Sequence, residues 1–231
     1  MVETKIYHIT DPVADHDKIA EAAEIIKNGG VVAFPTDTVY AVGASLDDEK
    51  AIERIFEVKN RPKENPVSVL VGRDLDMHLC INIISPNNNI ASRFIENFWP
   101  GPLTIVMPRI LSRVPSIVTA GNLGVGVRMP DDPIALALIN EAGVPVVAPS
   151  ANISGHPSPT TGQHVIDDLN GKVDMILVGP DCKTGIESTI VDLTGEYPVI
   201  TRPGSITIDQ LQDLVPRKVY QVKEVPEDDS L

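Results

Sequence analysis

Short apolar runs alternate along this chain with segments of helical periodicity, and this alternation limits the folds open to it. The run Val31–Phe34 follows an amphipathic segment, Ile19–Ile26, which ends at Asn28-Gly29-Gly30. Four to eight apolar residues bounded by turn residues are typical of a buried strand. Apolar residues spaced by three and four are typical of a helix, and glycine commonly ends one. The sequence therefore predicts a mixed α/β domain.

The same patterns predict the remaining elements. Further strands are expected at Val67–Val71, Leu103–Met107, Val125–Met129, Val144–Ala148, Met175–Val178, Ser188–Leu193 and Val199–Thr201, and further helices between Asp48 and Pro62 and near Ala91–Phe98, Pro133–Ala142 and Ile208–Leu214. Strand candidates adjoin one another near the C-terminus. The sequence thus favours an open, mixed sheet flanked by helices over a doubly wound parallel sheet. We expect residues 1–215 to form one domain and residues 216–231 a surface tail.

Charge and composition exclude several classes of function. The net charge of −13 argues against tight, nonspecific binding to a phosphate backbone, which depends on lysine and arginine displacing counterions. Aromatic residues make up only 4% of the chain, which disfavours a platform for stacking bases. The start lacks the apolar stretch of a signal peptide, and no run approaches the length of a membrane span. A cytosolic protein without membrane contact is expected.

Metal-binding patterns are also missing from the sequence. Cys80 and Cys182 lie far apart, and the histidines do not pair with each other or with cysteine at helical spacing. We therefore predict ordinary reduced thiols and no metal site built by protein side chains. Phosphate-loop, dinucleotide-fingerprint, zinc-protease and nucleophile-elbow motifs are absent too, which disfavours the familiar nucleotide folds and hydrolases.

A dense polar segment directly follows the first predicted buried strand. Thr36, Thr38 and Tyr40 project to one side if the chain is extended there, because side chains alternate with a period of two. From these residues alone, a binding loop and a polar edge strand fit equally well.

Two further segments place polar groups two residues apart. Lys59 and Arg61 lie just past a predicted helix, where Pro62 favours an extended conformation of Arg61. The two side chains could then point the same way and bind phosphate. A lysine at a helix C-terminus followed by a solvated loop is the alternative. Ser150 and Asn152 follow a predicted strand and offer hydroxyl and amide groups to phosphate or ribose, although a simple turn has the same composition.

Arg128 lies inside an apolar predicted strand. An arginine there is costly to bury without an anionic partner, so either a ligand or an internal carboxylate should face it. The residues leave both possibilities open.

In order along the chain, these segments resemble the YrdC-like family. The resemblance rests on Pro35–Tyr40, Lys59–Arg61, Trp99–Thr104, Val127–Pro130, Pro149–Asn152, Glu187–Asp192 and Arg202–Gly204. It covers nearly everything from the first predicted helix to Gly204 and implies a twisted, open mixed sheet with a large concave groove. Since the chain ends soon after Arg202, it resembles the short form of the family.

The resemblance implies a nucleotidyltransferase. The reaction joins L-threonine, bicarbonate and ATP into threonylcarbamoyl adenylate and pyrophosphate, with Mg²⁺ bound together with ATP. A separate complex then transfers the threonylcarbamoyl group to adenosine in tRNA, so at most weak direct tRNA binding is expected.

The resemblance also implies roles for individual residues. It assigns catalysis to Lys59 and Arg61, ATP binding to Lys59, Arg61, Asn65, Thr119, Ser150, Asn152 and Arg202, and threonine binding to Thr36, Thr38, Tyr40, Arg128 and Ser188. Two positions depart from the family pattern. Ala41 stands where the family often has glycine, and an alanine fits there if its φ is negative. Leu70 stands where some members have a histidine.

Two other functions are compatible with the resemblance. A non-catalytic RNA-binding or ribosome-associated factor is disfavoured by the acidic charge and the few aromatics. A carbamoyl-adenylate enzyme of the hydrogenase-maturation kind is disfavoured because acylphosphatase-like and zinc-finger regions are absent from the sequence.

Overall fold

The computed structural model describes residues 2–73, 80–82 and 85–222, which adopt a mixed α/β fold. The helices are α1 His16–Lys27, α2 Glu49–Lys59, α3 Asn88–Phe98, α4 Ser116–Thr119, α5 Pro133–Ala142, α6 Gly162–Leu169 and α7 Ile208–Gln212. The strands are β1 Lys5–His8, β2 Val32–Phe34, β3 Ala41–Ser45, β4 Val69–Leu70, β5 Leu103–Pro108, β6 Gly124–Arg128, β7 Val146–Val147, β8 Met175–Val178, β9 Thr189–Asp192, β10 Val199–Arg202 and β11 Tyr220–Gln221. None of the described helices is long and apolar enough to cross a bilayer.

The strands form one sheet in the order β1-β8-β2-β3-β7-β4-β6-β5-β9-β10-β11. Parallel pairs, such as β1 with β8, lie beside antiparallel pairs, such as β2 with β3. β1 and β11 are the two edges, so the described sheet stays open. The predicted open, mixed sheet with flanking helices is confirmed.

One half of the sheet carries helices on both faces. Val32 and Phe34 of β2 pack in an apolar cluster with α1 and α5, whereas Val31 and Ala33 pack in a second cluster with α2 and α6. Successive strand residues point to opposite faces, so a strand that is covered on both sides has no polar alternation. This double burial explains the uninterrupted apolar run after α1.

The other half of the sheet buries one face and presents the other to a groove. In β6, Val125 and Val127 join the apolar core, while Gly124, Gly126 and Arg128 line the groove. A Cβ atom added to either glycine would crowd the neighbouring strand, so glycine keeps this surface flat. β5 and β9 alternate in the same way. The floor therefore mixes polar side chains with Val106 and Ile190, and the two glycines of β6 leave room above it for a ligand.

The elements predicted from periodicity are present, some with shorter ends. The sequence prediction missed β1, β3, α4, α6 and β11. All five residues of β3 are buried, so this strand shows no alternation, and Gly43 within it resembles a turn signal. α6 begins at Gly162, a poor helix former, although Thr161 caps it by accepting from His164 N–H. Local signals were therefore weakest where tertiary packing decides the structure.

The described chain continues in the fold beyond residue 215. Val219 is buried in the core, and β11 pairs in parallel with β10. The rest of the predicted tail, residues 223–231, lies outside the described residues.

Asp132 caps the N-terminus of α5. Its carboxylate accepts from the N–H groups of Ile134 and Ala135, both at 2.9 Å. We expect Asp132→Ala to lower the free energy of unfolding by about 1 kcal/mol, because two helix-end donors lose their acceptor. Urea denaturation measures the change. Asp132→Asn keeps an acceptor and should lose much less, so equal losses in the two variants would contradict the capping role.

Candidate active site

A pocket of about 110 Å³ opens near the middle of the sheet. Its lining comes from separated parts of the chain: Thr36, Thr38, Val39, Ala41, Arg61, Pro66, Val67, Ser68, Leu70, Thr104, Arg128, Ala148, Pro149, Ser150, Glu187, Ser188, Ile190 and Arg202. It shares several of these residues with an adjoining cavity of about 540 Å³ that runs over β5, β6 and β9. Together they form a groove within the size range of ligand sites.

The pocket wall is positively charged although the chain as a whole is acidic. Arg61, Arg128 and Arg202 face it, and Glu187 is the only carboxylate in its described lining. Arginine presents several donors in a planar fork that matches carboxylate and phosphate groups. The pocket is therefore suited to an anionic ligand.

Arg128 stands at the end of β6 with its side chain almost fully buried. Its Nε donates to Gly101 O at 3.0 Å and one terminal nitrogen to Thr38 Oγ1 at 2.7 Å. The other terminal nitrogen forms an ion pair with the buried carboxylate of Asp37. The internal salt bridge left open by the sequence is thus present. Each terminal nitrogen carries a second N–H, so the guanidinium retains donors for a pocket anion.

Arg202 is held against the start of β9. It donates to Ser188 O from Nε and Nη2, at 3.0 and 2.9 Å, and to Ser188 Oγ at 3.0 Å. Its Nη1 donates to Glu187 at 2.5 Å, and Glu187 also accepts from Ser158 Oγ at 3.0 Å. Ser188 Oγ in turn lies 2.7 Å from Thr104 Oγ1. The guanidinium therefore has a fixed orientation, and one of its Nη1 N–H groups has no acceptor among the described residues.

Arg61 reaches the pocket because α2 ends abruptly. Asn60 adopts the left-handed conformation, with φ of 49°, and turns the chain away from the helix axis. Arg61 then donates from Nε to Asn65 O at 3.2 Å and from Nη2 to Pro66 O at 2.9 Å. These backbone contacts hold the guanidinium at the wall of the pocket.

Lys59 does not lie on the pocket wall beside Arg61. It is the last residue of α2, its side chain is buried, and its ammonium donates to Ser150 O and, at 2.5 Å, to Asn152 O. Of the two predicted pairs, the structure brings Arg61 and Ser150 to the pocket and places Lys59 and Asn152 behind that wall.

The segment after β2 places two of its three predicted residues at the pocket. Thr36 and Thr38 both line it, their hydroxyl oxygens 3.1 Å apart. Tyr40 is fully buried instead. Its hydroxyl donates to Gly179 O at 3.0 Å and accepts from Gly179 N–H at 3.1 Å, and burial raises its pKa to about 12. Tyr40 therefore joins the segment to the chain after β8.

Two further predicted residues lie outside the lining. Asn65 is exposed, and its carbonyl serves Arg61. Thr119 is buried at the end of α4, with its hydroxyl 3.4 Å from Ser116 O. Their assignment to ATP remains a prediction.

The two departures from the family pattern both face the pocket. Ala41 begins β3, and among the described residues only Asn60 and Ala120 combine a side chain with a positive φ, so Ala41 meets the requirement for negative φ. Leu70 contributes an apolar surface where a histidine would offer a polar one.

Sequence reasoning missed several residues of the site. Asp37 escaped notice because it lies between two predicted threonines, although a buried Arg128 requires a carboxylate partner. Glu187 stands in a motif already singled out, but its pairing with Arg202 has no local signal. Thr104 and Ser68 could have been found from their alternation with apolar neighbours in predicted strands.

Comparison with protein families gives a match over most of the chain. The model of the Sua5, YciO and YrdC proteins, described as "Telomere recombination", matches residues 24–204. The chain belongs to the Sua5/YciO/YrdC family. The match confirms the YrdC-like resemblance, and it spans the entire pocket lining.

Individual relatives within the Sua5/YciO/YrdC family are similar over most of this chain. The threonylcarbamoyl-AMP synthase of Bacillus subtilis is 41% identical over 208 residues, covering 90% of this chain and 59% of that protein. The synthase of Pyrococcus abyssi is 43% identical over 198 residues, covering 86% and 57%. The solved structure of P. abyssi Sua5 complexed with L-threonine matches with a TM-score of 0.88 and 40% identity, covering 94% of this chain and 62% of that one. The chain spans a little over half the length of these relatives.

Proposed function

We propose that this protein is a threonylcarbamoyl-AMP synthase, a nucleotidyltransferase that forms threonylcarbamoyl adenylate and pyrophosphate from L-threonine, bicarbonate and ATP. The observation that carries the proposal is the pocket wall, where three arginines and several hydroxyl groups converge in an otherwise acidic protein. Synthases of this name that share about two fifths of their aligned residues with the chain, and the threonine complex of P. abyssi Sua5, support it.

Threonine has a natural place beside Arg128. A free N–H on each terminal nitrogen suits an amino-acid carboxylate, and Thr36, Thr38 and Ser188 surround the position with hydroxyls. Leu70 supplies apolar surface for the side-chain methyl group. We assign the amino acid to this end of the pocket.

The triphosphate would occupy the wall formed by Arg61, Arg202 and Ser150. Two guanidinium groups and a hydroxyl are suitable donors for phosphate oxygens. The adjoining cavity of about 540 Å³ leaves room for the rest of the nucleotide. In this arrangement the α-phosphorus comes close to the amino acid.

The chemistry needs no protein nucleophile. The amine of threonine combines with bicarbonate to give a carbamate and water. A carbamate oxygen then attacks the α-phosphorus of ATP, and pyrophosphate leaves. The protein's part is to hold the carbamate in line with the leaving group, to offset the charge of the phosphates and to exclude water.

Magnesium would enter with ATP. The described residues contain no cluster of three His, Cys, Asp or Glu side chains able to hold a metal, and Glu187 already serves Arg202 and Ser158. Mg²⁺ commonly keeps waters and binds substrate phosphates through few protein ligands, which fits this pocket. When bound, it neutralises phosphate charge.

The product would serve tRNA modification. We propose that a separate complex accepts the adenylate and transfers its threonylcarbamoyl group to adenosine in tRNA, and that both act in the cytosol. An overall charge of −13 supports this division, since a strong RNA-binding surface is not required for release of a small product.

Pyrophosphate release tests the proposal. The purified protein is incubated with ATP, bicarbonate and Mg²⁺, with L-threonine, L-serine or no amino acid. Release that depends on threonine and on bicarbonate is expected. If folded protein releases none, the proposal is wrong, and stabilisation of the protein by tRNA in a thermal melt would then favour the RNA-binding alternative.

A further inference from the structure

We propose that Lys59 is a positioning residue, which fixes the loop carrying Ser150 against the pocket and does not contact the phosphates. The Ser150 loop comprises residues 150–156. The effect of Lys59 on catalysis rests on the proposed function, whereas its effect on the loop does not.

All the hydrogen bonds described for the ammonium of Lys59 go to this loop. The ammonium donates to Ser150 O and to Asn152 O, and Asn152 Oδ1 lies 3.5 Å away. An ammonium has three N–H groups, so these three oxygen atoms can occupy all of them. The side chain is only 1% exposed and lies outside the pocket lining, so the ammonium is not placed to meet a phosphate in the pocket.

Lys59 also holds the loop through its main chain. Ser154 N–H donates to Lys59 O at 2.7 Å, which anchors the middle of the loop to the end of α2. Asp168 supports the same segment by accepting from Ile153 N–H at 2.9 Å. Removing the ammonium would leave the carbonyl groups of Ser150 and Asn152 without this donor. Ser150 also lines the pocket, so a shift of the loop would change the pocket wall.

The charge state of Lys59 is sensitive to pH. Burial lowers the pKa of Lys59 to about 8, the positive charge of Arg61 acts in the same direction, and the charges of Glu187 and Asp168 oppose the change. The ammonium is therefore present below this pH and lost as the pH rises through it. A neutral amine has two N–H groups and a lone pair, which cannot serve three acceptors.

Kinetics distinguishes a positioning residue from a phosphate ligand. We expect Lys59→Met to lower kcat about 100-fold, because a small displacement of a positioned group has effects of this order. KM for ATP should change little. The matched control is Lys63→Met, which removes a nearby exposed lysine paired with Glu53; it should behave as wild type. A large rise in KM for ATP with unchanged kcat would overturn the proposal.

The pH dependence of kcat tests whether Lys59 does more than stabilise the fold. In the wild type and in Lys63→Met, kcat should decline as the pH rises through about 8. Lys59→Met should lack this decline, because it has no group to titrate at that position. Identical profiles in all three proteins would overturn the assignment.

Two further measurements need no catalysis. Amide hydrogen exchange in the Ser150 loop should be faster in Lys59→Met than in wild type or Lys63→Met. Reductive methylation of the wild type should spare Lys59 equally with and without ATP, while exposed lysines react. Protection that appears only with ATP would identify Lys59 as a phosphate ligand and overturn the proposal. If no protein releases pyrophosphate, the proposed function fails, and these two measurements still decide whether Lys59 holds the loop.

Discussion

Arg128→Met should lower the free energy of unfolding by about 3–5 kcal/mol, because it leaves the carboxylate of Asp37 buried without its partner. Both side chains are more than nine-tenths buried, and among the described residues the carboxylate of Asp37 otherwise accepts only from Asp131 N–H. Urea denaturation at low temperature measures the change. A loss of this size is a large part of the stability of a typical domain.

A second substitution separates the charge from the packing. Asp37→Asn in the Arg128→Met background removes the uncompensated carboxylate, so the double variant should recover much of the lost stability. If the two losses simply add, the ion pair is not the cause. Arg128→Lys keeps a positive charge for Asp37 but cannot reach Gly101, Thr38 and Asp37 together, so it should weaken threonine binding more than it lowers stability.

Arg61→Met should weaken ATP binding about 10- to 100-fold, because hydrogen bonds to charged groups contribute about 1.5–3 kcal/mol each. The remaining contacts of Arg61 are to the carbonyls of Asn65 and Pro66, which stay accessible to water, so the fold should be little affected. Isothermal titration with ATP gives the dissociation constant, and a thermal melt shows whether the protein is folded.

The control for this prediction is again Lys63→Met, which removes the same charge two residues along the chain. It should bind ATP as the wild type does, since its ammonium pairs with Glu53 on the surface. Equal weakening in both variants would mean that general charge, and not the position of Arg61, governs binding.

Most of the fold could be predicted from residue patterns because burial leaves a local record in many strands. β6 is an example: Val125 and Val127 alternate with glycines and Arg128, and the structure places them on opposite faces. β3 is buried on both sides and so shows no alternation, and Gly43 and Ser45 interrupt the apolar run that would otherwise have marked it. The short strands and the polar-capped α6 are fixed by contacts distant in sequence, which a local pattern does not contain.

The site was predicted in part for a similar reason. A two-residue spacing puts side chains on one side only in an extended chain. Thr36 and Thr38 both reach the pocket, but the chain bends at residues 37–39, and Thr38 N–H donates to Thr36 Oγ1 across this turn. Lys59 ends a helix and Asn60 is left-handed, so Lys59 and Arg61 point to different places despite the same spacing. The partner of Arg128 lies 91 residues away and no local signal identifies it.

The distance in sequence between contacting groups also bears on how the protein acquires its activity. Hydrogen bonds at the pocket join Asp37 to Arg128, Lys59 to Ser150 and Thr104 to Ser188, across 91, 91 and 84 residues. Closing such long loops costs entropy before any contact repays it, and chains rich in such contacts fold slowly. A growing chain on the ribosome contains no complete pocket until Arg202 has emerged. Regain of ATP affinity during refolding therefore reports the arrival of the last strands, and not the earlier collapse of the core.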